Sequence, residues 1–354
     1  MKAAVLNELN APLIIKELPD PELLPGSIIV RVQSSYVMSY TKNVLDGKSG
    51  FTLPVPYTPG LCAVGIIEAV DAGVNGLRVG QRVFCQPNFS SHTNRTPNDS
   101  ILIGWFGLYP ESEHLISRWK NGAFAEKTVY PAECVTPIRD HEFTNADQLC
   151  VLNILNIGYG ALLTGGFKAS QTVIINGATG NIGAGLVVLS LALGASKVIA
   201  VGRDHQKLSE LKELDKRVSS FELGEDCEEN AKGITALSDE RNLFIDASAS
   251  STADPTRACI HALSRGGVAV LVGGVRADIP IPFTLMHNRL LTIKGSYMYP
   301  DSATGDLLKL IGSGQLDLGV FKIHTYPLEK INEAIQSAPF FKGLECCVIN
   351  PTHF

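Results

Sequence analysis

The sequence predicts an α/β protein with two domains, a barrel-like β domain and a doubly wound parallel sheet. At 354 residues the chain is longer than one ordinary α/β core requires. Its first part carries short strand patterns punctuated by Pro and Gly, and strands alternate with helices after residue 150. We therefore expect the barrel-like domain over 1–149 and 297–354 and the parallel sheet over 150–296.

Composition narrows the class of protein. Hydrophobic residues make up 45% and charged residues 18%, which is typical of a globular chain with sizeable cores. The formal net charge is -5 and Lys and Arg are not clustered, so a nucleic-acid groove or an anionic membrane surface is not favoured. The apolar run at the N-terminus is too short for a signal peptide. Eight cysteines without metal-knuckle spacing indicate reduced thiols and a cytoplasmic location.

The barrel-like part contains five short segments rich in β-branched residues. They are Ala3–Leu6, Ser27–Val32, Gly65–Val70, Arg82–Cys85 and Glu126–Val129. Residues 87–120 are polar and irregular, and we interpret them as a long loop or lobe that can cover a site. Within it, His92 and the pair Trp105-Phe106 either contact a substrate or, the favoured interpretation, are a surface histidine and an aromatic anchor of the loop.

The second part alternates strands with helices. Strand patterns occur at Thr172–Asn176, Lys197–Val201, near Val218, and at Leu243–Ala247, Val268–Val272 and Leu291–Lys294. An apolar helix is predicted over Asn181–Leu193 and a charged one over His205–Leu214. Such alternation is typical of a parallel sheet covered on both faces. From Leu307 onward we expect a helix, a strand and a second helix near Leu328–Ser337.

A glycine-rich turn follows the first of these strands and opens the apolar helix. Its sequence is Ala178-Thr179-Gly180-Asn181-Ile182-Gly183, preceded by Gly177. Small residues let the backbone turn tightly and approach a pyrophosphate, while the N–H groups at the helix start bind the anion. Ala178 stands in place of the usual first glycine, which is tolerable if that residue avoids positive φ. The context indicates a dinucleotide site of the Rossmann type, and a structural turn without ligand is the alternative.

The residues after the second strand indicate which dinucleotide is bound. An NAD site usually carries Asp or Glu there to bind the ribose 2′-hydroxyl, whereas this chain has Gly202, followed by Arg203 and, one turn on, Lys207. A guanidinium matches the geometry of a 2′-phosphate, which favours NADP(H). In the alternative interpretation Arg203 is a solvated charge and Asp204 contacts the ribose of NAD.

The order of motifs resembles that of the medium-chain dehydrogenase/reductase superfamily over nearly the whole chain. The motifs are Pro59-Gly60 before Ala63–Val70, Val79–Val83, Gly122–Glu126, Gly158-Tyr159-Gly160, the turn at 178–183, Tyr326-Pro327-Leu328, and Ile331–Ala334. The resemblance implies a chaperonin-10-like barrel, an inserted dinucleotide-binding domain and a homodimer joined through those domains. It also implies that nicotinamide and substrate meet in a cleft between the two domains.

The chain departs from the zinc enzymes of this superfamily at every catalytic ligand position. Counting from Gly47, the first ligand position carries Met38; the Gly-His-Glu motif reads Gly60-Leu61-Cys62; and the last position carries Asn153. Leucine cannot bind zinc, and a thioether and an amide are poor ligands. Because 86–121 contains no cysteine, the structural zinc site is missing as well. We therefore predict no metal, and place the chain in the zinc-independent, quinone oxidoreductase-like branch.

Zinc-free relatives, as the resemblance implies, reduce quinones or the C=C bond of enones and enoyl thioesters with NADPH. Tyr40 occupies the position of the hydroxyl in the proton relay of the zinc enzymes, so it is our candidate hydrogen-bond and proton donor. Tyr36 and Ser39 lie beside it in sequence, and Tyr40 can equally be a packing residue. Asn153 either orients a substrate carbonyl or caps a local backbone group.

One thiol, one pair of glycines and one segment are also expected near the reacting groups. Cys62 is a second cleft candidate, although buried thiols are usually inert. Gly273-Gly274, after a strand, should pass close to the nicotinamide because glycine lets the backbone approach a ring. The segment around Tyr297 is expected to help form the substrate pocket.

Three functions remain open at this point. The first is an NADPH-dependent reductase of quinones or activated alkenes, acting on a small or hydrophobic substrate. The second is a zinc-free carbonyl reductase or alcohol dehydrogenase in which Tyr40 supplies the acid. The third is a dinucleotide-binding sensor or scaffold without turnover. Product analysis separates the first two, and steady NADPH consumption excludes the third.

Overall fold

The computed structural model describes residues 1–90, 99–139, 145–238 and 242–352. Its strands are β1 Lys2–Val5, β2 Ile14–Glu17, β3 Ser27–Val37, β4 Ala63–Val70, β5 Arg82–Cys85, β6 Asn88–Ser90, β7 Ser100–Leu102, β8 Phe106–Gly107, β9 Lys127–Pro131, β10 Val135–Pro137, β11 Thr172–Asn176, β12 Lys197–Gly202, β13 Val218–Glu222, β14 Leu243–Asp246, β15 Val268–Leu271, β16 Thr292–Gly295, β17 Lys322–Tyr326 and β18 Glu345–Ile349. Its α-helices are α1 Thr41–Leu45, α2 Glu113–Trp119, α3 Ala146–Leu149, α4 Leu152–Gly165, α5 Asn181–Ala192, α6 His205–Lys212, α7 Cys227–Leu237, α8 Asp254–His261, α9 Phe283–Arg289, α10 Ala303–Gly312 and α11 Ile331–Ser337.

Packing divides the chain into two units. The first comprises Met1–Asn153, Leu318–Phe341 and Glu345–Phe354; the second comprises Ile154–Asp317 and Lys342–Leu344. Residues 297–317, which the sequence analysis assigned to the barrel-like domain, pack with the second unit. Gly160 explains this because a Cβ there would lie 2.2 Å from the Met298 carbonyl oxygen. Asn156 also donates from Nδ2 to Thr304 Oγ1 at 3.0 Å.

The first unit is built around a seven-stranded sheet in the order β10-β5-β4-β3-β18-β17, with β9 also paired to β3. Strand β3 is central because it pairs antiparallel with β4, β9 and β18. Alternate residues of β3, Ile28, Val30 and Val32, are fully buried in one core, as the two-residue period of a strand requires. The barrel-like character predicted from the short strands is confirmed, together with the α/β fold class.

The segment 87–120 is more ordered than predicted. Strands β6, β7 and β8 form a three-stranded sheet, and α2 follows it, so the described residues form a lobe rather than an irregular loop. These strands have two or three residues each, too few for a periodic signal. Phe89, Ile101, Leu115 and Trp119 tie this lobe into the core of the first unit. His92 lies outside the described residues.

The second unit contains a six-stranded parallel sheet in the order β13-β12-β11-β14-β15-β16. Numbered within the unit, this is 3-2-1-4-5-6, the strand order of the Rossmann fold. Every residue of β11 is buried, because helices cover both faces of such a sheet. The order places the carboxyl ends of β11, β12 and β14 side by side, where ligands bind in open α/β sheets.

One stretch of the described chain, Ala146–Gly165, is long and apolar enough to span a membrane by composition alone. However, 67% of its most apolar window is buried inside the protein. That burial is the pattern of a core helix of a globular protein.

Candidate active site

The glycine-rich turn lies between β11 and α5, as predicted. Gly177 has φ +76°, and a Cβ there would lie 2.8 Å from backbone atoms of Ser248. Ala178 has no positive φ, so the residue that replaces the first glycine is unstrained. Its N–H donates to the Val201 carbonyl at 3.0 Å, which ties the turn to the end of β12.

The two later glycines of the turn have different surroundings. A Cβ on Gly183 would lie 2.1 Å from the Gly177 carbonyl oxygen, so only glycine lets α5 start this close to the strand. A Cβ on Gly180 would meet only the same oxygen, at 3.4 Å. Gly180 is the N-cap of α5 and has no side chain to bond the first N–H groups, which makes the helix start a suitable cradle for an anion.

A distant segment, Lys342–Leu344, closes on this turn and was not anticipated. The Gly343 N–H donates to the Thr179 carbonyl at 2.9 Å, and Asn181 donates from Nδ2 to the Gly343 carbonyl at 3.2 Å. Gly343 has φ +61°, so glycine is favoured there. The only sequence signal was an isolated Lys-Gly pair near the C-terminus, which carries no information about its partner.

The end of β12 is followed by the residues on which the prediction of NADP(H) depends. Arg203 is exposed and forms no hydrogen bond or ion pair with any described residue, so its guanidinium is available to a ligand. Asp204 accepts from the Lys207 N–H at 3.1 Å and caps α6. Lys207 Nζ lies 2.9 Å from Glu210 and its side chain is only 14% exposed.

Gly202 has a packing role that the sequence did not reveal. A Cβ at this position would lie 2.6 Å from Thr179 Cγ2 in the glycine-rich turn. Gly202 therefore lets the turn approach β12, in addition to leaving out the carboxylate of an NAD site.

Gly273 and Gly274 follow β15, and only Gly273 is closely packed against its neighbours. A Cβ on Gly273 would lie 2.0 Å from the Ser248 carbonyl oxygen, whereas nothing lies within 4 Å of one on Gly274. Packing against Ser248 thus accounts for Gly273. The approach of this pair to a nicotinamide stays a prediction.

A buried carboxylate lies at the end of β14, and sequence reasoning missed it. Asp246 is 2% exposed and accepts hydrogen bonds from Asn176 Nδ2, the Ser248 N–H and the Thr256 hydroxyl. These bonds hold the loop after β14, where Ser248 fits between Gly177 and Gly273. An Asp inside the predicted buried strand Leu243–Ala247 was the available signal.

In the first unit, the residues at the zinc-ligand positions are buried. Met38, Leu61, Cys62 and Asn153 are 3%, 6%, 0% and 2% exposed. Asn153 donates from Nδ2 to the Met38 sulfur at 3.2 Å, so two of the ligand positions predicted from sequence lie next to each other. Cys62 is one of seven buried cysteines, and all eight are free.

This set of donors does not fit a catalytic zinc ion. Zinc sites use thiolate, imidazole or carboxylate ligands, and here the nearest groups are a thioether and an amide already bonded to each other. Leu61 offers no donor atom at all. Within the described ranges, no three His, Cys, Asp or Glu side chains are grouped so that they can hold a metal ion.

The three hydroxyl candidates near Met38 are distinguished by their surroundings. Tyr36 lies in β3 and is 2% exposed, and burial raises the pKa of its phenol well above the usual range. Ser39 is half-buried. Tyr40 precedes α1 and is 38% exposed, although nearby protein atoms raise the pKa of its phenol to about 12 by desolvating the phenolate. Of the two tyrosines, Tyr40 therefore has the more exposed side chain, and its phenol is neutral at physiological pH.

The pair Trp105-Phe106 is buried, as expected for an anchor of the lobe. Both residues are 4% exposed. Trp105 packs edge-to-face on Tyr40 with ring centroids 5.6 Å apart, and Phe106 stacks on Phe51 at 3.9 Å. The lobe is thereby connected to the candidate donor.

Family models recognise both halves of the chain. Residues 24–140 match the alcohol dehydrogenase GroES-like domain, and residues 182–313 match the zinc-binding dehydrogenase domain. The chain belongs to the medium-chain dehydrogenase/reductase superfamily. The first match falls in the first unit and the second in the unit with the parallel sheet, so both parts of the superfamily's architecture are present.

Individual relatives extend over almost the whole chain. An alcohol dehydrogenase of Geobacillus stearothermophilus is 28% identical over 344 residues, 95% of each chain. Two solved structures share the fold, and each alignment covers 99% of both chains. One is a protein of Sinorhizobium meliloti described as a zinc-binding dehydrogenase and bound to NADP, with 20% identity and a TM-score of 0.82. The other is an alcohol dehydrogenase of Escherichia coli with NADH, with 19% identity and a TM-score of 0.81.

These relatives support a dinucleotide-binding oxidoreductase and leave finer properties open. The two structures hold different cofactors, so the fold alone does not choose between NADP and NAD. The matching domain is described as zinc-binding, so the superfamily is supported and the zinc-independent branch is not.

Proposed function

We propose that the protein is a zinc-independent, NADP(H)-dependent oxidoreductase that reduces a quinone or an activated alkene. The observation that carries this proposal is the contact between Asn153 and Met38, 3.2 Å apart, at positions where zinc enzymes hold the metal. Without a Lewis acid, direct oxidation of an alcohol loses its means of lowering the hydroxyl pKa. A conjugated carbonyl or quinone accepts hydride with help from a hydrogen-bond donor alone.

The turn between β11 and α5 fits a dinucleotide. Gly177 and Gly183 let the turn pack within van der Waals distance of its neighbours, and the N-terminus of α5 carries no capping side chain. Residues 178–183 would hold the pyrophosphate, while Gly202, Arg203 and Lys207 would surround the adenosine ribose. When bound, NADPH supplies the hydride.

Tyr40 would act on the substrate oxygen. Its phenol is neutral, so it can donate a hydrogen bond to the carbonyl and stabilise the negative charge that develops there. The hydrogen bond to Met38 would keep the Asn153 amide in place beside the substrate site.

The preference for NADPH is testable by titration, following nicotinamide fluorescence. We expect NADPH to bind at least about tenfold more tightly than NADH, about 1.4 kcal/mol. Arg203→Ala should remove most of that difference, because Arg203 has no partner among the described residues and is available to the 2′-phosphate. Lys212→Ala removes an equal charge from the far end of α6 and serves as the control. NADH binding as well as NADPH would refute the assignment.

The reaction itself is tested by identifying the product of an enone with NADPH. A saturated ketone supports reduction of the C=C bond, whereas an allylic alcohol supports the second candidate, a zinc-free carbonyl reductase or alcohol dehydrogenase. The 28% identical alcohol dehydrogenase of Geobacillus stearothermophilus favours keeping that candidate. If NADPH binds and no substrate is turned over, the protein is a sensor or scaffold.

We also propose a cytoplasmic homodimer joined through the second unit. Strand β16 ends the parallel sheet, so one side of its backbone has no partner strand among the described residues. Large apolar side chains are exposed in the segments next to this strand in sequence, with Phe283, Leu290 and Tyr297 exposed by 80%, 58% and 59%. An exposed strand edge with apolar neighbours favours pairing with a second chain.

The dimer is tested by measuring the mass in solution, which should be twice the 38.0 kDa of one chain. Phe283→Asp should shift the protein toward the monomer because it puts a charge beside the edge strand. Phe340→Asp is the matched control, since Phe340 is also 80% exposed but belongs to the first unit. A monomeric wild type, or equal effects of the two substitutions, would argue against this interface.

A further inference from the structure

Four aromatic side chains form a continuous row in the first unit. Tyr40 packs edge-to-face on Trp105 at 5.6 Å, Trp105 stacks on Phe106 at 5.6 Å, and Phe106 stacks on Phe51 at 3.9 Å with the planes 7° apart. The middle pair is 4% exposed, whereas Tyr40 and Phe51 at the two ends are 38% and 40% exposed. The row therefore has a buried centre and two rings open to solvent.

Glycines position this row beside the turn that carries Leu61. A Cβ on Gly104 would lie 2.1 Å from the Gly60 carbonyl oxygen, and one on Gly122 would lie 2.0 Å from the same atom. Because Gly104 precedes Trp105 and Gly60 precedes Leu61, this approach places the lobe against the turn that carries Leu61. Leu61 stands where the zinc enzymes have a histidine ligand. At the other end, Tyr40 is two residues from Met38.

We propose that the aromatic row binds the planar ring of the substrate, which is an aryl-substituted enone or a ring-fused quinone. This proposal rests on the proposed reductase function, because it takes Tyr40 as the donor to the substrate carbonyl. A flat ring that lies against the exposed rings buries apolar area and gains the geometry-dependent attraction of aromatic pairs. The carbonyl of the same molecule then points to the Tyr40 hydroxyl.

The surroundings of the row disfavour a charged substrate. Desolvation is the cause that raises the pKa of Tyr40, and no charged group contributes to the shift. An aryl or quinonoid ring suits the apolar environment of the Tyr40 phenol.

Binding can be measured without turnover through Trp105, one of two tryptophans in the chain. The other, Trp119, packs on Phe89 in the core and is replaced in a Trp119→Phe background. Benzylacetone, the saturated product of an aryl enone, neither reacts with thiols nor absorbs where tryptophan is excited selectively. A straight-chain methyl ketone of similar length is the comparison ligand.

We expect a saturable change in Trp105 fluorescence with benzylacetone and an affinity at least about tenfold higher than for the straight-chain ketone. Phe51→Leu, at an exposed position, should remove most of that preference, and Tyr40→Phe should keep it because the ring remains. Equal affinities for the two ketones, or a preference that survives Phe51→Leu, would overturn the proposal. Aromatic preference without NADPH consumption would support the row as a binding surface and refute the reductase function instead.

Discussion

Tyr40→Phe should lower kcat for the reduction by about 10²-fold or more and leave the Kd for NADPH within about twofold. The hydroxyl is the only group removed, and a positioned proton donor contributes about 10²–10⁴-fold to a reaction of this kind. The ring stays in contact with Trp105, so packing of the aromatic row is retained. Single-turnover rates and fluorescence titration measure the two quantities separately.

Tyr109→Phe is the matched control for this experiment. Tyr109 lies in the same lobe as Trp105, is 47% exposed, and loses the same hydroxyl. Its kcat should equal that of the wild type. Unchanged turnover in both variants would mean that Tyr40 is a packing residue and that another group protonates the substrate.

The pH dependence of the rate gives a second test of Tyr40. Desolvation raises its pKa to about 12, so the phenol stays protonated around neutral pH. The donor is therefore lost only as the pH rises through that value, and the rate should be constant between about pH 6 and 9. A titration of kcat in that range would assign proton transfer to a group other than Tyr40.

The parallel sheet was predictable because its signals are local. Strand β11, the glycine turn, α5 and β12 each combine an apolar run with punctuation by small residues, and their observed bounds agree with the predicted ones within a residue. The lobe at 87–120 was not predictable in this way. Its strands are too short for a period, and they are stabilised by Phe89 and Trp119 packing on strands distant in sequence.

Two glycines of the candidate site have packing roles that the sequence did not indicate. Gly202 and Gly273 were attributed to a ligand, yet each also makes room for a distant residue, Thr179 and Ser248 respectively. Asp246 bonds Asn176, 70 residues away, and Gly343 bonds Thr179 and Asn181, and no single-sequence pattern reports such contacts. Counting from motifs picked out Met38 and Asn153, which lie 115 residues apart in sequence and are in contact in the structure.

The two glycines at the start of α5 should respond differently to alanine. In Gly183→Ala the new Cβ would lie 2.1 Å from the Gly177 carbonyl oxygen and 2.7 Å from the Ala178 Cα. Both are backbone atoms, so relieving the overlap requires the chain itself to shift. We expect a loss of about 3 kcal/mol in the free energy of unfolding, as for an overpacked core. In a domain of this size that lowers Tm by roughly 6–12 °C.

Gly180→Ala should leave Tm within about 2 °C of the wild type, because its Cβ meets only one oxygen at 3.4 Å. It should nevertheless weaken NADPH binding at least about tenfold, since the methyl group enters the space in which the backbone would approach the pyrophosphate. Thermal melts of the cofactor-free protein and NADPH titrations measure the two effects independently. A stable Gly183→Ala would contradict the close approach of α5 to the turn, whereas full NADPH affinity in Gly180→Ala would mean that the pyrophosphate binds elsewhere.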